Sequence, residues 1–410
     1  MSFRGVFIAI VVATALLVAA LMLNRYRPQA VTQQPTAALV RASGKCAACH
    51  SNLQYSVVHE YELSRHAEKR INCLECHQPA EGQEKQDHHG FVIATHLTAA
   101  NCRSCHERIY QQFLRSRHAA PSWAAVYGDK DFKEEQVAFS ESFHPGGTKR
   151  APHPLVELEG AAATTSGCAT CHSVGRPNPD GSIGTCTACH TRHTASVEIA
   201  RLPATCGQCH MGPDHSQLEI YTESRHGVLF EAQRDLLNLK VPPNELTTRQ
   251  MFVPTCATCH MSGLNGLNVT HDTSERLSYH LASEVSDKRP NYTLAQANMK
   301  DLCANCHSRQ LIDRVYQQAE KVVESTNDKV RRAKSIIDGL RDDGLLTKPF
   351  GQPIDFEYFD LWHYYGRTSK HGAFMGGADF VQWHGNYPLL KHMIDIEHAA
   401  EEMRKNHDKP

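Results

Sequence analysis

The residues best suited to chemistry in this chain are its sixteen cysteines, which all fall within eight copies of Cys-x-x-Cys-His. Each copy offers two thiols for thioether bonds to a haem and a histidine for its iron, the spacing of a c-type attachment site. One copy would be weak evidence, but eight copies that leave no cysteine over point to a single cofactor. The cysteine pairs are Cys46 and Cys49, Cys73 and Cys76, Cys102 and Cys105, Cys168 and Cys171, Cys186 and Cys189, Cys206 and Cys209, Cys256 and Cys259, and Cys303 and Cys306.

Two other uses of cysteine fit this pattern less well. Zinc sites do not require a histidine directly after each cysteine pair, and a chain of 410 residues can bury a core without a disulfide framework. We therefore expect eight covalently attached c-type haems inside a mostly α-helical fold whose core is packed around them. The histidines that end the motifs, called here the attachment histidines, would be the proximal iron ligands: His50, His77, His106, His172, His190, His210, His260 and His307.

Nineteen of the 27 histidines lie outside the motifs and could bind the second face of the iron. Electron-transfer haems use two strong ligands, whereas a catalytic haem leaves one face open. The supply allows seven bis-histidine haems and one open haem. The candidates are His66, His118 and His226 in the strings SRHA, SRHA and SRHG, together with His193, His271, His89 or its neighbour His88, and His363. Of these, His193 would bind the iron of a haem other than that of His190, and His363 lies between Trp362 and Tyr364.

The N-terminus predicts export. Residues Phe7 to Leu23 are almost entirely apolar and no convincing cleavage site follows them, so residues 1–24 are interpreted as an uncleaved signal anchor rather than a cleaved signal peptide. Residues 25–44 are a polar linker. Because haem is attached to such proteins outside the cytoplasm, we expect the chain on the periplasmic side of a bacterial inner membrane. The net charge of −1 gives no basic face for nucleic acid.

The chain changes character after the last motif, which divides an octahaem domain (residues 45–310) from a C-terminal helical region (residues 311–410). Apolar residues there recur at helical spacing and predict one long amphipathic helix or a pair. A second helical region, about 356–402, is rich in aromatic residues. We expect a helical bundle whose apolar stripe makes contacts between subunits. The recurring positions are Leu311, Val315, Ala319, Val322, Val330, Ala333, Ile337 and Leu340.

Several strings resemble the octahaem hydroxylamine oxidoreductases. They are CTACHTRH (186–193), CGQCHMGPDHSQLEIYTESRHG (206–227), CATCHMS (256–262) and HGAFMGGADFVQWHGNY (371–387). The resemblance implies a homotrimer of mostly helical subunits in which the fourth haem is catalytic. That haem would be held by Cys168, Cys171 and His172, and its open face would be lined by Asp214, His215 and Tyr279. A carboxylate, an imidazole and a phenol can exchange the protons that accompany redox chemistry of nitrogen oxides.

One position departs from the hydroxylamine-oxidising members. A tyrosine of a neighbouring subunit is cross-linked to the catalytic haem in those proteins, and the matching residue here is Phe380. Tyr387 follows seven residues later, on about the same helical face but two turns away. The resemblance therefore favours reduction of nitrite and hydroxylamine toward ammonium, with electrons from a membrane-bound quinol dehydrogenase or a small cytochrome. A hydroxylamine or hydrazine oxidoreductase and a non-catalytic electron conduit remain the alternatives.

Overall fold

The computed structural model describes residue 5, residues 14–18 and residues 37–407. The predicted anchor and most of the predicted linker therefore lie outside the described residues, and both stay predictions. Within the described ranges, no helix combines the length and the apolar character needed to cross a bilayer. The fold is mostly α-helical, as the sequence predicted.

The first part of the chain consists of short helices and one β-hairpin. The helices are α1 (Ala37–Leu53), α2 (Tyr55–Glu62), α3 (Arg65–Glu68), α4 (Cys73–His77) and α5 (Ala99–Leu114). Strand β1 (Lys85–His88) pairs antiparallel with β2 (Phe91–Ala94), and these are the strands of the described residues. The two residues between them, His89 and Gly90, have φ angles of 53° and 84°. Positive φ at both positions is the geometry that joins two strands by a two-residue turn.

The middle of the chain continues with short helices separated by loops. They are α6 (Ala120–Tyr127), α7 (Glu134–Phe143), α8 (Leu155–Glu159), α9 (Ala161–Ser166), α10 (Cys168–His172), α11 (Val197–Arg201), α12 (Pro203–Gly207), α13 (Gln217–Glu223), α14 (Arg225–Gln233), α15 (Cys256–His260) and α16 (Tyr292–Cys303). Helices α4, α10 and α15 consist of one motif each. The buried apolar clusters before the C-terminal region are small, with three to four members each. Such clusters alone make a poor core, which fits a fold packed around large cofactors.

The C-terminal region is a helical bundle, as predicted. Helix α17 (Arg309–Asp342) begins after Ser308, whose hydroxyl accepts a hydrogen bond from the backbone N–H of Leu311. The bundle continues with α18 (Pro353–Phe359), α19 (Arg367–Met375), α20 (Ala378–Val381) and α21 (Tyr387–His407). Its core holds twelve buried side chains, contributed mainly by α17, α18 and α21: Val330, Ala333, Ile337, Leu340, Leu346, Ile354, Tyr358, Leu361, Leu389, Met393, Ile396 and Ala400.

Two wide helical turns interrupt this region. Asp360–Gly366 and Gln382–Asn386 are π-helical, and a π-helical turn holds more residues than an α-helical turn. The second interruption separates Phe380, which is 6% exposed, from Tyr387, which is 56% exposed. The expectation that these two residues share one helical face is therefore wrong, because it assumed uninterrupted α-helical spacing.

Candidate functional site

The motifs lie close together in pairs that are distant in sequence. All sixteen cysteines are outside disulfides. The thiols of Cys102 and Cys186 lie close enough to shift each other's pKa, as do those of Cys206 and Cys256. Since each cysteine would carry one edge of a haem, cofactors attached to these motifs would be neighbours. Closely spaced haems are the arrangement needed to pass electrons through the protein.

Five attachment histidines each face a second histidine ring from elsewhere in the chain. The distances between ring centroids lie between 5.7 and 6.4 Å. In every pair one ring belongs to a motif and the other does not, so each pair has the composition of a bis-histidine iron site. The pairs are His50 with His88, His106 with His66, His190 with His271, His210 with His118, and His307 with His226.

The spacing of the rings fits a metal ion between them. An ion bound by two imidazole nitrogens at about 2 Å each needs those nitrogens about 4 Å apart. The Nε2 atoms of His118 and His210 are 3.4 Å apart, facing each other. Burial next to other basic groups lowers the pKa of His118 to about 3 and that of His210 to about 4, so both rings are neutral, which is the form that binds a metal. The residues present thus fit c-type haems.

Buried serines position the three histidines of the SRH strings. Ser64 and Ser224 cap helices α3 and α14, accepting hydrogen bonds from the N–H groups of Ala67 and Gly227. A capped first turn fixes the residue two positions after the serine, which is the histidine in each string. In the third string the hydroxyl of Ser116 accepts a hydrogen bond from the N–H of His118 itself. The repeated string therefore encodes a local device that points an imidazole inward.

The remaining predicted ligands fall in different surroundings. Burial, and then the charge of His193, lower the pKa of His77. These two histidines therefore lie near each other. His260 is half-buried, and no histidine ring of the described residues faces it at ring-contact distance. Burial, and then the charges of His210 and Arg276, lower its pKa to about 4. At the hairpin turn His88 faces His50, and His89 instead lies 4.8 Å from the ring of His88.

The surroundings of His172 differ from those of the five paired histidines. Its Nδ1 donates a hydrogen bond of 2.6 Å to the carbonyl oxygen of Ser122, which fixes the ring and leaves Nε2 for a metal. Among the described residues, no second histidine ring stacks opposite it. Burial, and then the charge of His215, lower the pKa of His172. The charge of Asp214 opposes this change and so lies nearby.

Asp214 and His215 form a bonded pair beside this motif. Nδ1 of His215 donates to the carboxylate of Asp214 at 2.5 Å. Burial alone would raise the pKa of Asp214, but the hydrogen bond from His215 and the charges of His215, His363 and Arg367 lower it to about 2. Asp214 is thus a carboxylate at neutral pH. A carboxylate bonded to Nδ1 fixes the ring of His215 in one orientation and leaves Nε2 to face a substrate.

A row of basic side chains packs against this loop. His363, Arg367 and His371 recur every four residues, and Lys370 lies on the adjoining turn of helix α19. Burial, offset in part by the charge of Asp214, lowers the pKa of Arg367 to about 10, so it stays protonated at neutral pH. Burial and the charge of Arg367 lower the pKa of His363 to about 2 and that of Lys370 to about 7. His363, predicted as an iron ligand, therefore lies beside the Asp214–His215 pair.

Tyr279 lies in an aromatic cluster, 5.4 Å from the ring of Tyr292 and 5.8 Å from that of Phe374. Burial and then the charge of Glu320 raise the pKa of its phenol. By contrast, Tyr364 lies near Asp214: burial, and then the charges of Asp360 and Asp214, raise the pKa of its phenol. Sequence reasoning missed Tyr364, Arg367 and His371, although their spacing from His363 at one, four and eight residues was a usable signal.

Comparison with known proteins agrees with this arrangement. A family model described as "Seven times multi-haem cytochrome CxxCH" matches residues 68–353, a span that contains seven of the eight motifs. The chain is 23% identical over 403 residues to a probable nitrite reductase-hydroxylamine oxidoreductase fusion protein of Kuenenia stuttgartiensis. The match covers 84% of this chain and 43% of that protein. The chain thus spans less than half the length of that relative.

Two solved structures share the fold. A hypothetical multiheme protein superposes with a TM-score of 0.74 at 20% identity, covering 92% of this chain and all of that one. The reducing HAO-like protein complex of Kuenenia stuttgartiensis superposes with a TM-score of 0.67 at 20% identity, covering 93% and 89%. The names of this complex and of the curated relative agree with the resemblance to hydroxylamine oxidoreductases that the sequence predicted.

Proposed function

This chain belongs to the multihaem cytochrome family with CxxCH motifs, and on that premise we propose that it reduces nitrite and hydroxylamine toward ammonium. The reaction is assigned to the haem held by Cys168, Cys171 and His172. One observation carries the proposal: the bonded pair of Asp214 and His215 lies beside His172, an attachment histidine that no second histidine ring of the described residues faces. A proton-handling pair next to an open iron face is the arrangement of a catalytic haem rather than of an electron relay.

The roles of the residues follow from their contacts. The haem, when bound, supplies an iron that can take a nitrogen-oxide ligand and electrons from the other haems. His215 donates protons from Nε2, since its Nδ1 is held by Asp214. Asp214 keeps the imidazole of His215 in one orientation. Ser122 holds the ring of His172 through Nδ1, so that Nε2 keeps one direction.

Phe380 supports reduction over oxidation. Its ring is 6% exposed and stacks on His384 with the ring centroids 4.9 Å apart. A phenyl ring has no oxygen that could form an ether-like bond to a haem. A catalytic haem without such a bond keeps an ordinary macrocycle, which suits electron donation to the substrate.

Steady-state assays with a single preparation test the proposed function. The purified protein is given a reduced dye with nitrite or with hydroxylamine, and separately an oxidised dye with hydroxylamine. We expect dye-dependent consumption of both substrates and ammonium as product. Rapid oxidation of hydroxylamine without any consumption of nitrite would reverse the direction. No turnover in any assay would favour an electron conduit.

The cofactor content is proposed to be eight haems, because the motifs use all sixteen cysteines. The intact denatured chain should therefore carry the mass of eight haems, measured by mass spectrometry. Seven haems, with the cysteines of the first motif free, would restrict the cofactor set to the span that the family model matches. Zinc in place of haem would contradict the assignment altogether.

One haem should be high-spin in the oxidised protein, since in the described part of the chain His172 combines the lack of a facing imidazole with the nearby pair of Asp214 and His215. Electron paramagnetic resonance should show a minority high-spin ferric signal that nitrite or cyanide perturbs. A high-spin signal that neither anion perturbs would instead place the open iron at another attachment histidine without a facing ring, such as His260. A wholly low-spin spectrum would remove the catalytic site.

The chain is proposed to form homotrimers on the periplasmic side of the inner membrane, with a quinol dehydrogenase or small cytochrome as electron donor. Four apolar side chains, spaced four, three and four residues apart, are exposed along α21 and the turn before it: Trp383, Tyr387, Leu390 and Ile394. Exposed apolar stripes of this kind mark contacts between proteins. Light scattering should give three times the mass of one haem-loaded chain, and the monomer mass would contradict the proposal.

A further inference from the structure

The basic face of α19 is fixed rigidly against the loop of Asp214 and His215. The hydroxyl of Thr368 donates to the carbonyl oxygen of Pro213 at 3.1 Å and lies 3.0 Å from the hydroxyl of Ser216. One turn further, the side-chain amide of Gln217 lies 3.2 Å from Nδ1 of His371. These contacts bracket the pair on both sides. Arg367, directly before Thr368, is therefore held at the edge of the candidate active site.

The guanidinium of Arg367 is held in one plane. Its Nε donates to the carbonyl oxygen of Ala282 at 3.0 Å, and its central carbon lies 5.1 Å over the ring of Trp362. The residue is 9% exposed. Hydrogen bonding at Nε and stacking on the ring together fix the direction of the two terminal amino groups. A fixed guanidinium offers two parallel donors, which match the two oxygens of a planar anion.

Arg367 has no ion-pair partner among the described residues. Asp214 is the nearby carboxylate, and it is bonded to His215. Lys370, one turn along the helix, is completely buried and donates to the hydroxyl of Ser286, a neutral group. The guanidinium of Arg367 is therefore not neutralised by a carboxylate of its own in the described part of the chain. Because burying a guanidinium without a counter-charge is unfavourable, an anion that enters the site removes a penalty already present.

We propose that Arg367 is the anion receptor of the active site and makes it select nitrite over neutral substrates. Nitrite is planar, carries one negative charge on two oxygens, and accepts two parallel hydrogen bonds from a guanidinium. Hydroxylamine is neutral at pH 7 and gains little from that charge. The inference rests on the proposed function and names the residue that separates its two substrates. A carboxylate of a bound haem has the same planar shape, so the experiment distinguishes the two anions.

Arg367→Gln tests the inference through binding as well as turnover. The KM for nitrite should rise about 10- to 100-fold, the usual effect of losing a charged hydrogen bond, while the KM for hydroxylamine changes less than about threefold. In spectral titrations of the high-spin haem, the Kd for azide should rise by a similar factor and that for neutral imidazole should not. Arg331→Gln is the matched control, because Arg331 is exposed on α17 and pairs with Asp328.

Arg367→Lys keeps the charge but loses the paired donors, so its azide affinity should fall between those of the wild type and the glutamine variant. This variant tests the role of Arg367 in anion binding if the Arg367→Gln protein does not fold. A changed haem reduction potential with unchanged azide and nitrite affinities would overturn the inference and assign Arg367 to a haem carboxylate. If the wild type reduces neither substrate, the proposed function fails, whereas the comparison of azide with imidazole still decides the role of Arg367.

Discussion

Replacing His215 with alanine should lower nitrite turnover about 100- to 10,000-fold, the usual loss when a general acid is removed. The substitution takes away the one imidazole that is held by a carboxylate beside His172. Asp214 then has no imidazole to orient. The KM for nitrite should change much less, because anion binding is assigned to Arg367. Single-turnover kinetics with reduced protein would separate the loss in proton transfer from slower electron supply.

The main competing role for His215 is that of an iron ligand. Its ring lies 6.0 Å from the ring of His210, a distance similar to that in the five facing pairs. However, Nε2 of His210 already faces Nε2 of His118. We therefore expect His215→Ala to leave the electron paramagnetic resonance spectrum unchanged. A new high-spin signal in that variant would mean that His215 binds the iron of His210.

Two further variants are compared with His215→Ala in the same turnover assay. Asp214→Asn should reduce turnover less than His215→Ala, because the imidazole remains but loses its orienting carboxylate. His392→Ala is the matched control, since His392 is also hydrogen-bonded to a carboxylate, that of Glu357, within the C-terminal bundle. Its turnover should equal that of the wild type. A comparable loss in His392→Ala would show that the effect of His215→Ala reflects stability rather than chemistry.

Features encoded over a few neighbouring residues could be read from the sequence. The spacing of the cysteines and histidine in each motif indicates a c-type haem. The apolar periodicity predicts the mostly helical fold and the C-terminal bundle. The SRH strings are of the same kind, because a serine cap acts within its own helical turn. Which histidine faces which motif could not be read, because those pairs join residues up to 92 positions apart, as with His118 and His210.

Helical spacing predicted the buried face of α17 only in part. In α17 the expected positions Val330, Ala333, Ile337 and Leu340 are buried. Nearer its start the buried face passes through Ile312 and Val323 instead of the neighbouring Leu311 and Val322. Apolar periodicity leaves such a one-residue choice open, because either of two adjacent apolar residues fits the same helical pattern and only the packing partners select the buried one. The row of basic residues in α19 was missed because its aromatic neighbours suggested a subunit contact.

Gly175→Ala should destabilise the protein by about 3 kcal/mol, near the upper end of the usual cost of overpacking. A Cβ atom at Gly175 would lie 1.8 Å from the carbonyl oxygen of Ala119 and 2.7 Å from that of His118. Both contacts are with backbone atoms, so no side-chain rotation relieves them. The loop after His172 and the backbone of His118 would have to separate. Denaturation followed by haem absorbance should show a lower midpoint than in the wild type.

The same substitution should also disturb an iron site at a distance. Because the contacts are made with the backbone of His118, its imidazole should shift away from His210, and a new high-spin haem should appear. Gly339→Ala is the matched control: it lies inside α17, and its added Cβ would meet only the end of the flexible Arg404 side chain, at 3.3 Å. Alanine there should stabilise the helix by up to about 1 kcal/mol. A Gly175→Ala protein with wild-type stability and an unchanged spectrum would show that the backbone of residues 118–119 does not fix His118 as an iron ligand.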